Sequence, residues 1–308
     1  MIADATRIPI ESLATWLAMR QQDVTESDVA ALFGKSPYKT MLGLFAEKAG
    51  LVPASVEEND AMKRGRYMEH AILAACSEHP ALAHGAVDRT ALYWRSPSLR
   101  LGATPDASLE TGEASEPIDA KSVASYVFDQ SWASGPPLHI QLQVLVQAML
   151  MGAPRGWVAC ALMTPEMPLH VFEVPRHEKA ERMILDAVAA FWKAVEAGDA
   201  PDPTAGDHAV LTALFPQASR PEPLDWSADD EIQVLLNRRA EICDIVKPLE
   251  GEKAEIDAKI KASMGAHGLA LAPGWKVTWT ERKAYVANVP ASRVLRVTAL
   301  NLDQEEAA

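Results

Sequence analysis

The sequence predicts an α/β fold in which helices flank a central mixed sheet. Short segments bounded by Pro, Gly and Ser, at 91–95, 99–103, 118–123, 157–163 and 170–174, read as strands. Segments with one apolar face at helical spacing, at 60–79, 138–151 and 177–197, lie before, between and after them. With 48% apolar and 23% charged residues in 308, the chain can bury a real core.

Residues 8–50 are expected to be largely helical. Leu13, Trp16 and Leu17 mark a first segment, and Ser27 to Leu32 a second, with Ser27 or Thr25 available as N-cap. A turn at Gly34-Lys-Ser-Pro-Tyr precedes a short helix from Met41 to Ala49. In the 60–79 helix, Met62, Tyr67, Ala71, Ile72 and Ala75 share a buried face. The helix at 138–151 uses Ile140, Val144, Leu145, Ala148 and Met149 in the same way. The organisation expected is a core over 1–200, a Pro-rich linker or wrapping loop over 201–226, and an extension over 227–308. That extension reads as a helical hairpin broken near Pro248 and Gly251, followed by short strands such as Trp275-Lys-Val-Thr-Trp-Thr. Trp275 and Trp279 share a strand face. They could stack bases, but burial against the hairpin is the expected use.

No apolar run approaches the roughly 18–20 residues of a membrane span. Asp4, Arg7, Glu11 and Arg20 interrupt the first 20 residues, so neither an anchor nor a secretory signal is expected. The cysteines Cys76, Cys160 and Cys243 have no metal-ligand spacing and suggest no disulfide framework, which points to the cytoplasm. The net charge of -13 argues against a nucleic-acid coat, because phosphate contacts need clustered Lys and Arg. It leaves room for a metal-dependent nuclease, whose centre is made of carboxylates.

The chemistry concentrates at Ala103-Thr-Pro-Asp-Ala-Ser-Leu-Glu and Pro117-Ile-Asp-Ala-Lys-Ser. Asp119 and Lys121 stand two apart on one strand and project to one face, and a hairpin would bring Asp106 beside them. Two carboxylates and a lysine suit phosphodiester hydrolysis. The carboxylates can hold Mg²⁺ with several waters, and the lysine can position or deprotonate the nucleophile or hold a non-bridging oxygen. Alone, Asp-x-Lys reads as a solvated hairpin. Its company is Gly65-Arg-Tyr-Met-Glu69 upstream and His139-Ile-Gln141-Leu-Gln143 downstream.

In that order these motifs resemble the PD-(D/E)XK superfamily, with its restriction-endonuclease-like core. Within it they are similar to the YqaJ and lambda-exonuclease family of phage recombination nucleases. Trp16-Leu-Ala-Met-Arg20, Thr25-Glu-Ser27-Asp and Ser36-Pro-Tyr-Lys39 resemble that family's opening, and the likeness spans about residues 8–197. It implies that Asp106, Asp119 and the Ala120 carbonyl are metal ligands, with Glu69 supporting the metal directly or through water. The family more often has Glu where Asp119 stands, which bears on metal preference. Lys121 is implied as the catalytic lysine and Gln141 as the glutamine that touches it or the attacking water. Gln143 and Gln147 could be structural or DNA-facing, and His139 takes no role. Arg20 and Ser27 match the pair that grips a terminal 5′-phosphate, where a guanidinium binds bidentately and a hydroxyl near a helix N-terminus adds a donor. Thr104 is either a further hydroxyl there or a plain strand residue. Lys35 and Lys39 are either DNA-backbone contacts or solvated surface.

The resemblance implies an enzyme that uses Mg²⁺, with Mn²⁺ as substitute. It would digest one strand of linear double-stranded DNA from a 5′-phosphorylated end, leaving 3′ overhangs for recombination by strand annealing. A homotrimer ring and a single-strand annealing protein as partner are implied as well. A ring would help an acidic chain hold DNA. The alternatives are another nuclease of the superfamily (RecB-like, or an endonuclease) and a catalytically silent DNA-end-binding module. A Cas4-like enzyme is disfavoured, since three dispersed cysteines cannot ligate an iron–sulfur cluster.

Overall fold

The computed structural model describes residues 2–53, 60–132, 134–220, 222–284 and 293–298. The chain groups into two compact units, Met1–Pro216 and Gln217–Ala308.

The first unit is mixed α/β. It runs β1 (Thr6–Pro9), α1 (Leu13–Gln22), β2 (Val24–Thr25), α2 (Val29–Leu32), α3 (Met41–Lys48), α4 (Asp60–Cys76), β3 (Ala86–Asp88), β4 (Leu92–Ser96) and β5 (Leu101–Ala103). It continues through β6 (Ala107–Glu110), β7 (Ser115–Val123), α5 (Ser125–Ser131), α6 (Leu138–Met151), β8 (Arg155–Leu162), β9 (Leu169–Pro175), α7 (Glu178–Ala197) and α8 (His208–Leu214). The expected strands divide between two sheets, one in the order β1-β4-β5-β2 and one in the order β3-β6-β7-β8-β9. In the second sheet β7 and β8 are parallel and the other pairs antiparallel. The crossover between these parallel strands is α5 and α6, as a parallel pair requires.

Strand alternation decides which helix covers which face of that sheet. Ile118, Ala120, Trp157, Ala159 and Ala161 pack with Ile72, Leu73 and Cys76 of α4. Val158 and Cys160 pack on the opposite face with Ile140 and Val144 of α6. Asp119 and Lys121 have the opposite parity to Ile118 and Ala120, so they belong to the α6 face. Gly156 lets α6 come close, because a Cβ there would lie 2.4 Å from Val144 Cγ1. A further cluster joins Val24, Val29, Leu44, Phe45 and Leu101 to Leu145, Met149 and Leu150 of α6 and to Ile184, Val188 and Phe191 of α7. Local signals set the helix ends. Ser12 and Thr15 form a capping box on α1, Thr40 caps α3, and Gly152 and Gly198 end α6 and α7 in the left-handed conformation.

The stretch expected as linker or wrapping loop carries α8, and the buried Asp207 just before it binds Thr204 and the Thr40 hydroxyl.

In the second unit the expected helical hairpin does not form. One continuous helix, α9 (Asp230–Met264), runs through Pro248 and Gly251. Pro removes one backbone donor and crowds the preceding turn, but here the turns on either side carry the helix across. The period-2 segment pairs as a hairpin, β10 (Leu269–Ala272) with β11 (Trp275–Thr278). Trp275 and Trp279 are exposed, contrary to their expected burial. No helix among the described residues is long and apolar enough to cross a membrane.

Candidate active site

The β6–β7 register builds the centre. Ala107 pairs with Ile118, and Asp106, one step further, falls beside Asp119. The Ala120 amide donates to Asp106 Oδ2 at 2.7 Å, fixing that carboxylate against β7. Asp119 is 1% exposed. Its Oδ1 accepts from Gln143 Nε2 at 2.7 Å and from Gln147 Nε2 at 3.5 Å, and its Oδ2 lies 2.5 Å from Lys121 Nζ.

Burial lifts the Asp106 carboxyl to about 8, and the neighbouring charge of Asp119 adds to the rise, with a smaller contribution from Glu69. Lys121 and the Ala120 amide oppose it. Burial works against the Lys121 ammonium, but Asp119 and Asp106 outweigh it and hold its pKa above the ordinary lysine value. Glu69 stands on α4 one turn before Ile72 and Leu73, on the helix stripe that meets the sheet. The structure thus brings Asp106, Asp119 and Lys121 into one electrostatic cluster, with the Glu69 charge acting on Asp106.

Gln141 does not join it. Its side chain is turned to the Pro136 carbonyl, which accepts from Nε2 at 2.6 Å, and the residue is exposed. The glutamines that reach the centre are Gln143 and Gln147. Their i, i+4 spacing inside an otherwise apolar run was the available signal, since it puts both on the buried face of α6. His139 also faces the centre. Burial, reinforced by the Lys121 charge, lowers its pKa, and its ring meets Tyr38 edge-on at 6.0 Å.

A second cluster forms around Arg20. Its Nη2 donates to Ser27 Oγ at 3.0 Å and Thr25 Oγ1 at 3.2 Å, and its guanidinium lies 4.6 Å from the Trp16 ring centroid. Trp16 Nε1 donates in turn to Thr104 Oγ1 at 3.0 Å, so Arg20, Ser27 and Thr104 are drawn into one neighbourhood. Because α2 is a single turn, Arg20 and the hydroxyls, rather than a helix dipole, give this neighbourhood its character. Beneath it lies Asp28, which accepts from the Thr25 amide and hydroxyl and pairs with Lys48 and Lys39. Burial disfavours the Asp28 charge, but these two ammonium groups overcome it and hold its pKa well below the carboxylate range. Lys39 is therefore bound to Asp28 at 3.0 Å and Glu47 at 2.8 Å, which takes it away from the expected DNA backbone contact. Lys35 is exposed.

Glu26 went unnoticed in the sequence, where nothing in the residues around it marks it. It is 4% exposed, its Oε1 lies 3.7 Å from Arg20 Nη1, and its charge also acts on Lys121. Burial, only partly offset by Arg20, lifts its carboxyl to about 7. It stands between the two clusters.

Among the described residues, no three His, Cys, Asp or Glu side chains form a ready metal cage. The donor set nevertheless fits a hard divalent ion. Burial and, after it, the neighbouring Asp119 charge raise the Asp106 carboxyl, and a dication offsets both costs. Two carboxylates, the Ala120 carbonyl and retained waters suit an ion that dehydrates reluctantly. Glu69 can act through one of those waters.

Among solved structures similar to the chain is an alkaline exonuclease, LHK-Exo from Laribacter hongkongensis. It is 20% identical, over 60% of this chain and 93% of that one, with a TM-score of 0.48. A phage related exonuclease from Haemophilus somnus 129PT is 11% identical, over 57% of this chain and 94% of that one, with a TM-score of 0.42. No curated protein matches the sequence. The family model of the YqaJ-like viral recombinase domain matches residues 15–154, the stretch that holds Arg20, Ser27, Glu69, Asp106, Asp119, Lys121 and Gln143. Both clusters therefore lie within the residues that match the YqaJ-like viral recombinase domain.

Proposed function

We propose that the chain is a divalent-metal-dependent exonuclease, with Mg²⁺ as its ion and Mn²⁺ as substitute. It digests one strand of linear double-stranded DNA from a 5′-phosphorylated end and leaves a 3′-ended strand for annealing. The observation that carries this reading is the convergence of Asp106, Asp119 and Lys121, held by Gln143. The neighbourhood of Arg20, Ser27 and Thr104 supports recognition of the 5′-phosphate.

Asp106, Asp119 and the Ala120 carbonyl hold the ion, with Glu69 assisting through water. When bound, the ion supplies Lewis acidity and a water of lowered pKa. Gln143 orients the Asp119 carboxylate. Lys121, held charged by Asp119 and Asp106, serves better as a cation on a non-bridging phosphate oxygen than as a proton acceptor. Arg20 and Ser27 hold the terminal phosphate and so set which bond reaches the centre. A homotrimer ring, a single-strand annealing protein as partner and a cytoplasmic setting belong to the same reading.

The test is a linear duplex labelled at one 5′ end, prepared with a 5′-phosphate or a 5′-hydroxyl, beside a closed circle, each incubated with Mg²⁺. Early release of labelled mononucleotide from the phosphorylated end, with circles intact, is expected. Cutting of circles would move the activity to an endonuclease, and no cleavage with any divalent metal would leave an end-binding module.

A further inference from the structure

The second unit contains an apolar seam that the first unit's chemistry does not use. Along α9, apolar residues recur at alternating spacings of three and four. Leu235, Ile242, Leu249 and Ile256 occupy one position of a seven-residue repeat, and all four are exposed. Ile232, Val246 and Ile260 occupy the companion position, which also holds Arg239 and Lys253. Such a repeat makes the seam of a coiled coil. The helix-hostile residues respect it. Pro248 and Gly251 fall on the outer side of the repeat, so the seam passes them unbroken. A 35-residue helix with its large apolar side chains in water lacks the packing that ordinarily sustains helices.

We propose that this seam pairs with the same seam of a second copy of the chain, in antiparallel orientation. The charges that flank the seam choose the occupant. In an antiparallel pair centred near residue 245, Glu231 meets Lys259 of the second copy and Arg238 meets its Glu252, each twice by symmetry. At the centre Ile245 meets Ile245. The same arrangement sets Val246 against Ile242 and Ile232 against Ile256. It also places Arg239 opposite Leu249, with Glu250 of the second copy beside it to take its charge. A parallel pair gives no attractive flanking contact and sets Glu252 against Asp257. Arg238 already binds Glu241 of its own helix at 2.9 Å, and its five N–H donors suffice for a second carboxylate. The overlap of about 30 residues makes a seam of about 45 Å. Arg239 and Lys253 within the seam weaken it and fix its register, as polar residues at such positions do.

The inference is independent of the nuclease reading, so it is tested on mass alone. Full-length protein is run by sedimentation velocity over a concentration series without divalent metal. Ile242→Glu combined with Leu249→Glu is expected to halve the mass at equal concentration, from two trimers joined to one or from two chains to one, with helix content retained by circular dichroism. Arg238→Glu and Glu252→Arg are each expected to weaken association about tenfold, and the two together to restore it. An unchanged mass in the Ile242→Glu, Leu249→Glu variant overturns the proposal. So does a wild type that stays at the variant's mass at every concentration. Tighter association from Glu252→Arg alone would signify the parallel pairing and would overturn it as well.

Discussion

Two helices of this chain treat apolar residues in opposite ways. In α6, from Val144 to Leu150 every residue is buried, and the two glutamines on its sheet-facing side both reach Asp119. In α9, 35 residues long, only Met264 is buried, and an apolar stripe lies open. The first helix is held by a sheet and by neighbouring helices, so it can carry polar groups in a dry setting where their hydrogen bonds are strong. The second has no such cover among the described residues of its own unit and keeps its polar groups on the outside. Buried polarity thus marks the proposed site, and exposed apolarity the proposed seam.

The largest effect should come from breaking the polar side of that contrast. Lys121→Ala is expected to lower cleavage of linear duplex by about 10³-fold, the scale of a lost transition-state cation, with folding retained by circular dichroism. Cleavage near the wild-type rate would remove Lys121 from the chemistry.

Glu26→Gln tests what buried charge costs. Burial raises this carboxyl from 4.5 to about 7, so the favoured neutral form prevails below 4.5 and is lost as pH rises through 7. Ionisation there costs the fold roughly 3 kcal/mol at pH 8. The variant should be more stable than wild type by that order at pH 8 and indistinguishable at pH 4, measured by urea unfolding at both.

Gln143→Ala removes the 2.7 Å bond to Asp119. A loss of about 10–100-fold in activity or in metal affinity is expected, as for other supports of metal-binding carboxylates. Titration of metal binding calorimetrically separates the two. An unchanged affinity and rate would return Gln143 to a packing role.

The smallest effect belongs to Gly65, inside α4 with open space where a Cβ would stand. Gly65→Ala should stabilise the protein by about 0.5–1 kcal/mol through helix propensity alone, read as a higher unfolding midpoint. A loss of stability would mean that the position is packed after all.

Gly102 makes the opposite case to Gly65. A Cβ there would overlap the Tyr93 hydroxyl, which donates to Asp23 at 3.0 Å, and nothing in the residues around Gly102 announces that approach. Glu26 was invisible for the same reason. Its burial comes from β2 and β5 meeting, residues 24–25 against 101–102, far apart in sequence. The exchange of Gln141 for Gln143 turned on a single helix rotation. Two residues along a helix amount to about 200°, enough to move a side chain from solvent to the sheet face.

The sequence by itself determined the elements and the site's anchor points. Periodicity located α4, α6, α7 and β7, and the two-residue spacing of Asp119 and Lys121 fixed their common face, because these are properties of a local backbone with a known repeat. It could also place Asp106 beside them, since one hairpin suffices. Only the tertiary structure decided which glutamines hold Asp119, that Lys39 serves Asp28, that Glu26 sits between the two clusters, and that α9 stays one helix across Pro248. Each of these depends on distant segments meeting, or on neighbouring turns outweighing one unfavourable residue. Such balances are struck between free energies of a few kcal/mol that no local pattern encodes.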